Sequence, residues 1–158
     1  MALLKPTIPE LSLTLIGKPK PDAETERLIK TLGLETAIEY RHGISAEEMV
    51  SCYSRAAVAV VPSLYEGFGL PAIEAMACGV PLVSSDGGAL PEVVGDAARI
   101  VPAGDERELA EAIAALLSST AERERLAQAG RRRALEEFCW DRCAERMVTY
   151  YREIIAAC

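Results

Sequence analysis

The feature that most constrains the fold is the alternation of short apolar runs with amphipathic stretches along the 158-residue chain. Residues 57–61 (AVAVV) form a continuous apolar run, which is typical of a strand buried on both faces of a parallel sheet. Residues 11–16, 36–40, 81–84 and 99–101 are further strand-like runs. Because helical spacing separates these runs, the sequence predicts an α/β fold, a three-layer parallel sheet with helices on both faces.

Residues with strong positional preferences mark where the intervening helices begin and end. Asp22 is a suitable N-cap for a helix that ends at Gly33, and residues 45–48 (SAEE) match a capping box that opens the next helix. Residues 71–78 and 89–93 predict two shorter helices, each followed within two residues by a glycine. Every predicted strand is therefore followed by a helix, as expected for parallel strands.

The last third of the chain is predicted to be helical throughout. Apolar residues between 109 and 117 share one helix face, and residues 121–137 form a charged helix whose Arg131, Arg132 and Arg133 are expected to lie on a solvated face. The final helix carries an apolar stripe, which predicts packing and, wherever it is left uncovered, a surface for self-association. The stripe consists of Trp140, Cys143, Ala144, Met147, Val148, Tyr151, Ile154 and Ile155.

Composition excludes several classes of protein. The formal net charge of −7 argues against a nucleic-acid binder, and no apolar run approaches the roughly 20 residues of a membrane span. The N-terminus lacks a signal-peptide pattern. Five cysteines without the spacing of a disulfide framework indicate reduced thiols in a reducing compartment. We therefore expect a single cytoplasmic domain spanning residues 1–158.

The segment between the continuous apolar run and the next helix is the best candidate for a binding site. Open α/β sheets bind ligands beyond the carboxyl ends of their strands, and this segment follows such an end. Gly67 and Gly69 allow the backbone to turn sharply, and Pro71 suits the first helical position. The N–H groups of Gly69, Leu70 and Ala72 are expected to point out of the helix start, where they favour an anion such as a diphosphate.

Two carboxylates flank this corner. Glu66 lies immediately before it, and Glu74 lies one turn into the predicted helix. Because carboxylates only accept hydrogen bonds, one could bind sugar hydroxyls and the other a vicinal diol such as a ribose. From the residues alone, an ordinary strand-to-helix corner remains open, since the helix dipole favours glutamate near a helix start in any case.

The longer signature that contains this corner resembles that of a known enzyme family. Residues 62–83 (PSLYEGFGLPAIEAMACGVPLV), 85–94 (SDGGALPEVV) and 138–140 (FCW) closely resemble the signature of GT4-type (group 1) retaining glycosyltransferases, and the resemblance covers nearly the whole chain. It implies the GT-B fold, in which two Rossmann-like domains face a cleft, and likens this chain to the C-terminal, donor-binding domain. It also implies transfer of a sugar from a nucleotide diphosphosugar, a UDP- or GDP-sugar, to an acceptor.

The same resemblance implies roles for individual residues. Glu66 would act at the transferred sugar as the catalytic residue of this domain, and Glu74 would bind the nucleotide ribose. The other donor-binding residues would be Gly67, Phe68, Gly69 and Leu70. The border of the base or the sugar would be formed by Arg41, His42, Gly43 and, as a weaker candidate, Ser63. The family's catalytic histidine, where there is one, belongs to the other domain, so His42 is expected not to be catalytic.

Two features depart from the family pattern. A complete member has about twice this length because its acceptor domain is a separate unit. The family's strand and loop with an Arg and a Lys for the donor diphosphate have no match before Leu11. We therefore expect a fragment without its N-terminal acceptor domain, which binds donor weakly and transfers little sugar alone. No metal or other cofactor is expected, and the full enzyme could associate peripherally with a membrane.

Other functions stay open at this stage. A non-catalytic interaction or regulatory module could have kept the fold, and the unmatched basic pair favours this alternative while Glu66 and Glu74 disfavour it. A GT-B sugar-nucleotide epimerase fits the Gly-Phe-Gly-Leu-Pro loop less well. A flavodoxin-like receiver is weaker still, because no acidic cluster follows the first strand. Titration with UDP, GDP and ADP would separate a donor-binding domain from a non-catalytic module.

Overall fold

The computed structural model describes residues 1–18 and 23–157. The chain divides into two compact units, Met1–Arg55 and Ala56–Cys158, each with its own parallel sheet. The predicted α/β class is confirmed, because parallel strands alternate with helices in both units. The single domain expected over the whole chain stays a prediction. Asp22, the predicted N-cap, lies outside the described residues.

The first unit contains a two-stranded parallel sheet. Its elements are β1 (Leu13–Ile16), α1 (Ala23–Thr31), β2 (Ile38–Arg41) and α2 (Ala46–Arg55). Leu13 pairs with Ile38 at the start of the ladder. Side chains along β1 alternate between half-buried and exposed, so only one face of that strand is covered. Both strands lie within the runs predicted for them or extend one residue beyond.

The predicted capping box is present at the start of α2. The Glu48 N–H donates to Ser45 Oγ at 3.2 Å, and the Ser45 N–H donates to Glu48 Oε2 at 2.8 Å. Two amides near the helix start are satisfied by this reciprocal pair. The Ser45 hydroxyl also donates to the Glu47 carboxylate at 2.7 Å, and this hydrogen bond lowers the pKa of Glu47.

The second unit is built on a three-stranded parallel sheet with β4 in the middle. Its elements are β3 (Ala59–Val61), α3 (Leu70–Ala77), β4 (Leu82–Ser85), α4 (Leu90–Val94), β5 (Arg99–Val101), α5 (Glu106–Ser118), α6 (Thr120–Glu137) and α7 (Trp140–Ala157). Val60 pairs with Val83, and Ser84 pairs with Ile100. Because the strands are parallel, the loops that follow Val61, Ser85 and Val101 leave the sheet at one edge.

Strand β4 forms the buried centre of this unit. All four of its residues are buried, which confirms the predicted cover on both faces of the sheet. The two flanking strands are less enclosed, since Val60 is half-buried and Ile100 is 38% exposed. A core cluster on one side of the sheet consists of Val83, Val101, Ala112, Leu116 and Leu126.

Arg133 departs from the prediction of a solvated arginine run. Arg131 and Arg132 are exposed, whereas Arg133 donates from Nε to Val93 O and from Nη2 to Glu92 O, each at 2.8 Å. These carbonyls lie at the end of α4, where no later amide of the helix is left to donate to them. The prediction was wrong for Arg133 because this helix end lies 40 residues away in sequence, and a charge pattern carries no such information.

Helix α7 leaves its apolar stripe exposed. None of its described residues is buried, and the exposed fraction is 89% for Trp140, 51% for Met147 and 74% for Ile155. The expectation that the stripe packs is therefore wrong for this chain, and the expectation of an uncovered face is confirmed. An ion pair joins Arg146 of α7 to Glu137 of α6 and lowers the pKa of the Glu137 carboxyl.

Two observations bear on the expected compartment and on the expected absence of a membrane span. Within residues 1–18 and 23–157, no helix combines the length and the apolar character that a membrane crossing requires. In the part of the chain that the structure describes, the cysteines are free thiols, and they are Cys52, Cys78, Cys139 and Cys143. The cytoplasmic location and the peripheral membrane association stay predictions.

Candidate functional site

The corner between β3 and α3 lies at the carboxyl edge of the second sheet, as predicted. Gly69 precedes the helix in the left-handed region, with φ +86°, and Pro71 lies in the first turn. The backbone angle favours glycine, and a Cβ on Gly69 would lie 2.9 Å from Leu90 Cδ2, so the Leu90 side chain would have to shift to admit it. A Cβ on Gly67 would meet no atom within 4 Å, so that position opens onto free space.

The backbone amides of this corner lie mainly on exposed residues, since Gly67, Phe68 and Leu70 are exposed and Gly69 is buried. No described residue accepts a hydrogen bond from the N–H of Gly67, Phe68, Gly69 or Leu70. Helix α3 has no side-chain N-cap and no acidic residue in its first turn, so nothing on the helix offsets the positive end of its dipole. In contrast, the Asp105 side chain accepts two amide hydrogen bonds at the start of α5, each at 3.0 Å.

Ala72 does not contribute a free amide, and its predicted role is corrected. Its N–H donates to Gly69 O at 3.0 Å, while the Ile73 N–H donates to the same oxygen at 3.2 Å. The first turn of α3 is thus tight enough to form a hydrogen bond three residues back. The run of unpartnered amides therefore ends at Leu70.

The two predicted carboxylates lie at either side of the helix start. Glu66 is half-buried, and its Oε2 accepts a hydrogen bond from Ser63 Oγ at 3.1 Å. No described residue donates to its other carboxylate oxygen, Oε1. Glu74 is exposed and is the fifth residue of α3, as the predicted helix placed it. One carboxylate is therefore held by the loop, and the other stands free on the helix.

Four residues that support this loop were not predicted as part of the site. Ser85 Oγ donates to Ser63 O at 2.5 Å, and the Ala89 N–H donates to Glu66 O at 2.9 Å. A Cβ on Gly87 would lie 2.4 Å from Ser63 O, and one on Gly88 would lie 2.3 Å from Glu66 O. The consecutive glycines were the available sequence signal, because such pairs mark close approach of two backbone segments.

The Phe68 ring packs away from the open amides. It meets Phe138 edge-on, with ring centroids 6.2 Å apart, and the Arg133 guanidinium lies over the Phe138 ring at 5.9 Å. Such aromatic and cation–π contacts stabilise modestly at partly exposed positions. The side chain of Phe68 thus secures the loop, while its backbone N–H stays available to a ligand.

Four residues were predicted to border the base or the sugar. Arg41, His42 and Gly43 lie in the first unit, and Ser63 lies in the second. Arg41 ends β2 and forms an ion pair with Glu39 at 2.8 Å, and the hydrogen bond and charge of Glu39 raise the pKa of Arg41. His42 is exposed, and Gly43 has φ +64°. Of the predicted set, Ser63 is brought to Glu66, and a role for the other three stays a prediction.

No group of three or more His, Cys, Asp or Glu side chains within residues 1–18 and 23–157 has an arrangement that could hold a metal ion. The available ligand-binding groups at the corner are amides and carboxylates, which suit an anion and hydroxyl groups.

Solved structures identify the class of enzyme that shares this arrangement. The chain matches sucrose-phosphate synthase from Thermosynechococcus elongatus with a TM-score of 0.84 and 34% identity, over 99% of this chain and 42% of that one. It also matches the C-terminal domain of a group 1 glycosyl transferase family protein from Francisella tularensis. That match has a TM-score of 0.77 and 27% identity, over 88% of this chain and 75% of that one. The fold is that of a GT-B glycosyltransferase, as expected.

The family follows from the sequence comparison. The family model for glycosyl transferases group 1 matches residues 1–133. The MMP alpha-(1->4)-mannosyltransferase of Mycolicibacterium hassiacum is 45% identical over 150 residues, 93% of this chain. The chain belongs to the group 1 glycosyl transferases, which confirms the resemblance in its signature. It spans 36% of the length of that mannosyltransferase.

Proposed function

We propose that this chain is the donor-binding domain of a retaining glycosyltransferase and that the corner from Glu66 to Glu74 binds a UDP- or GDP-sugar. The observation that carries the proposal is the set of unpartnered amides at residues 67–70, which lead into the uncapped start of α3. A diphosphate suits this position because its oxygens accept hydrogen bonds and its negative charge offsets the helix dipole.

The two carboxylates supply the remaining donor contacts in this proposal. Glu66 Oε1 accepts a hydrogen bond from a sugar hydroxyl, since Ser63 occupies only Oε2. Glu74, exposed on α3, accepts hydrogen bonds from the ribose diol.

The chemical step transfers the sugar with retention at its anomeric carbon. Negative charge develops on the departing phosphate as the bond to the sugar breaks, and fixed amide dipoles at residues 67–70 would stabilise that charge. We propose that no metal is needed for this role.

Amide chemical shifts test the proposal directly. A ¹⁵N-labelled chain is titrated at millimolar concentrations with GDP, UDP and ADP, with the matching nucleosides as phosphate-free controls. We expect the amides of residues 67–70 to shift with at least one diphosphate and not with its nucleoside. Shifts confined to other parts of the chain, or none at all, would overturn the proposal and favour a non-catalytic module.

Two conservative variants and one matched control assign the carboxylates. Glu74→Gln is expected to weaken binding of the nucleotide diphosphate, and Glu66→Gln to weaken only the additional binding that the sugar provides. Glu111→Gln removes an exposed glutamate of α5 and is expected to change neither. Because a 45% identical relative is named a mannosyltransferase, the mannosyl derivative of the best-bound nucleotide is the first sugar to test.

A further inference from the structure

Ser85 is a buried polar residue whose hydrogen bond crosses from the sheet to the loop. It ends the central strand β4 and is only 1% exposed. A hydroxyl buried without a partner would be destabilising, so its contacts define what the residue does. The Ser85 hydroxyl donates to the Ser63 carbonyl at 2.5 Å, 22 residues earlier in the chain, and it accepts a hydrogen bond from the Gly87 N–H at 3.5 Å.

Ser63 passes this restraint on to the carboxylate of Glu66. The same residue whose carbonyl accepts from Ser85 donates its own hydroxyl to Glu66 Oε2 at 3.1 Å. The Glu66 backbone is held from the same side, because its carbonyl accepts the Ala89 N–H at 2.9 Å. The Glu66 main chain is therefore held by the segment that follows β4. The Glu66 side chain is linked through Ser63 to Ser85, the last residue of β4.

The contact between the two segments leaves no room for adjustment. Gly87 and Gly88 approach Ser63 O and Glu66 O so closely that a single Cβ on either glycine would overlap a carbonyl oxygen. Interiors packed to this density transmit small displacements instead of absorbing them. A change at Ser85 therefore reaches Glu66 through Ser63.

We propose that Ser85 is a positioning residue that holds the Glu66 carboxylate beside the unpartnered amides of residues 67–70. By holding the carboxylate there, Ser85 determines how strongly the site prefers a nucleotide diphosphosugar over the bare nucleotide diphosphate. The proposal rests on the proposed function in assigning Glu66 to the sugar. The nucleotide itself binds through other groups, so the diphosphate alone is affected less.

Ser84 provides a matched control for this proposal. It is also buried in β4, at 0% exposure, but its hydroxyl bonds locally to the Ser85 carbonyl at 3.1 Å and does not reach the loop. Ser85→Thr keeps the hydroxyl, and its added methyl lies beside a cavity of about 130 Å³ that Ser85 helps to line. Ser63→Ala, in the loop itself, removes the last hydrogen bond of the relay without a change to the sheet.

The experiment measures affinity for GDP and GDP-mannose, with UDP and UDP-glucose as a second pair. A displaced Glu66 carboxylate keeps a weakened hydrogen bond to the sugar, so Ser85→Ala and Ser63→Ala should each lower the preference for the sugar nucleotide by roughly fivefold. Ser84→Ala and Ser85→Thr are expected to keep the wild-type preference. An unchanged preference in Ser85→Ala would overturn the proposal, whatever Ser63→Ala does.

Amide hydrogen exchange separates failure of this inference from failure of the proposed function. If the wild-type chain binds neither pair, the proposed function fails. The exchange rate of the Ala89 amide then tests whether Ser85 still holds Glu66 through Ser63. Faster exchange in Ser85→Ala than in Ser84→Ala supports the relay, because Ala89 donates to Glu66. Equal exchange in the two variants refutes it.

Discussion

Replacement of Arg133 by alanine tests whether this arginine ties α6 to the end of α4. The variant loses the hydrogen bonds to Glu92 O and Val93 O and the contact with the Phe138 ring. A hydrogen bond from a charged group contributes roughly 1.5–3 kcal/mol, and an exposed cation–π contact roughly 0.5–1 kcal/mol. Since the guanidinium is partly solvated, we expect a total loss of about 2–3 kcal/mol in the free energy of unfolding.

Two neighbouring substitutions sharpen the interpretation. Arg133→Lys keeps the charge but cannot present two donors in a fixed fork, so it is expected to recover at most about half of the loss. Arg132→Ala removes the same charge from an exposed position on the same helix and is expected to stay within about 0.5 kcal/mol of the wild type.

Urea unfolding followed by circular dichroism provides the measurement. The three variants should share the wild-type dependence on urea concentration, so that midpoint shifts report stability alone. Arg133→Ala is expected to unfold at clearly lower urea than Arg132→Ala. Coincident transitions for these two variants would refute the idea that the α4 carbonyls depend on Arg133.

Substitutions in the loop and its support separate folding from binding. Gly88→Ala places a Cβ 2.3 Å from Glu66 O at φ +64°, and the left-handed angle alone costs about 1–2 kcal/mol, so thermal melting should show a severely destabilised chain. Gly67→Ala places its methyl group in open space, so this variant should have the melting temperature of the wild type. It should bind GDP more weakly in titrations, and a lowered melting temperature would contradict this interpretation. Burial, followed by the charge of Glu74, raises the pKa of Cys78, so less thiolate is present at a given pH. Iodoacetamide should therefore modify Cys78 more slowly than the exposed Cys143, and Glu74→Gln should speed the reaction at Cys78, as peptide mass spectrometry can establish.

Elements with local signals were predictable from sequence. The capping box at residues 45–48 and the apolar run that became β4 depend on neighbours within a few positions. The strand predicted at 57–61 is shorter than expected, because pairing with β4 begins only at Ala59, opposite Leu82. Strand boundaries depend on the partner strand, which the run of residues does not specify.

The positions of the candidate site residues were predictable from sequence within the contiguous signature. Contacts between residues that lie far apart in sequence were not predictable. Glu66 and Glu74 lie where the sequence predicted them around the corner, yet the loop that carries Glu66 is supported by Ser85, which lies 22 residues away from the carbonyl that it binds. The Ala72 amide was misjudged because the tightness of the first turn of α3 depends on backbone angles. Likewise, the periodicity of α7 defined an apolar face without indicating whether anything covers it.

The open donors at residues 67–70 have a consequence for mutational surveys of this family. Those donors are main-chain groups, so replacement of Phe68 or Leu70 by alanine leaves the N–H in place. An alanine scan of the loop would report the shape of the turn and the packing of Phe68 on Phe138, but not the main-chain donors that we propose to bind an anion. Amide-to-ester exchange at single positions, introduced by chemical synthesis or ligation, would remove one donor at a time and measure each directly.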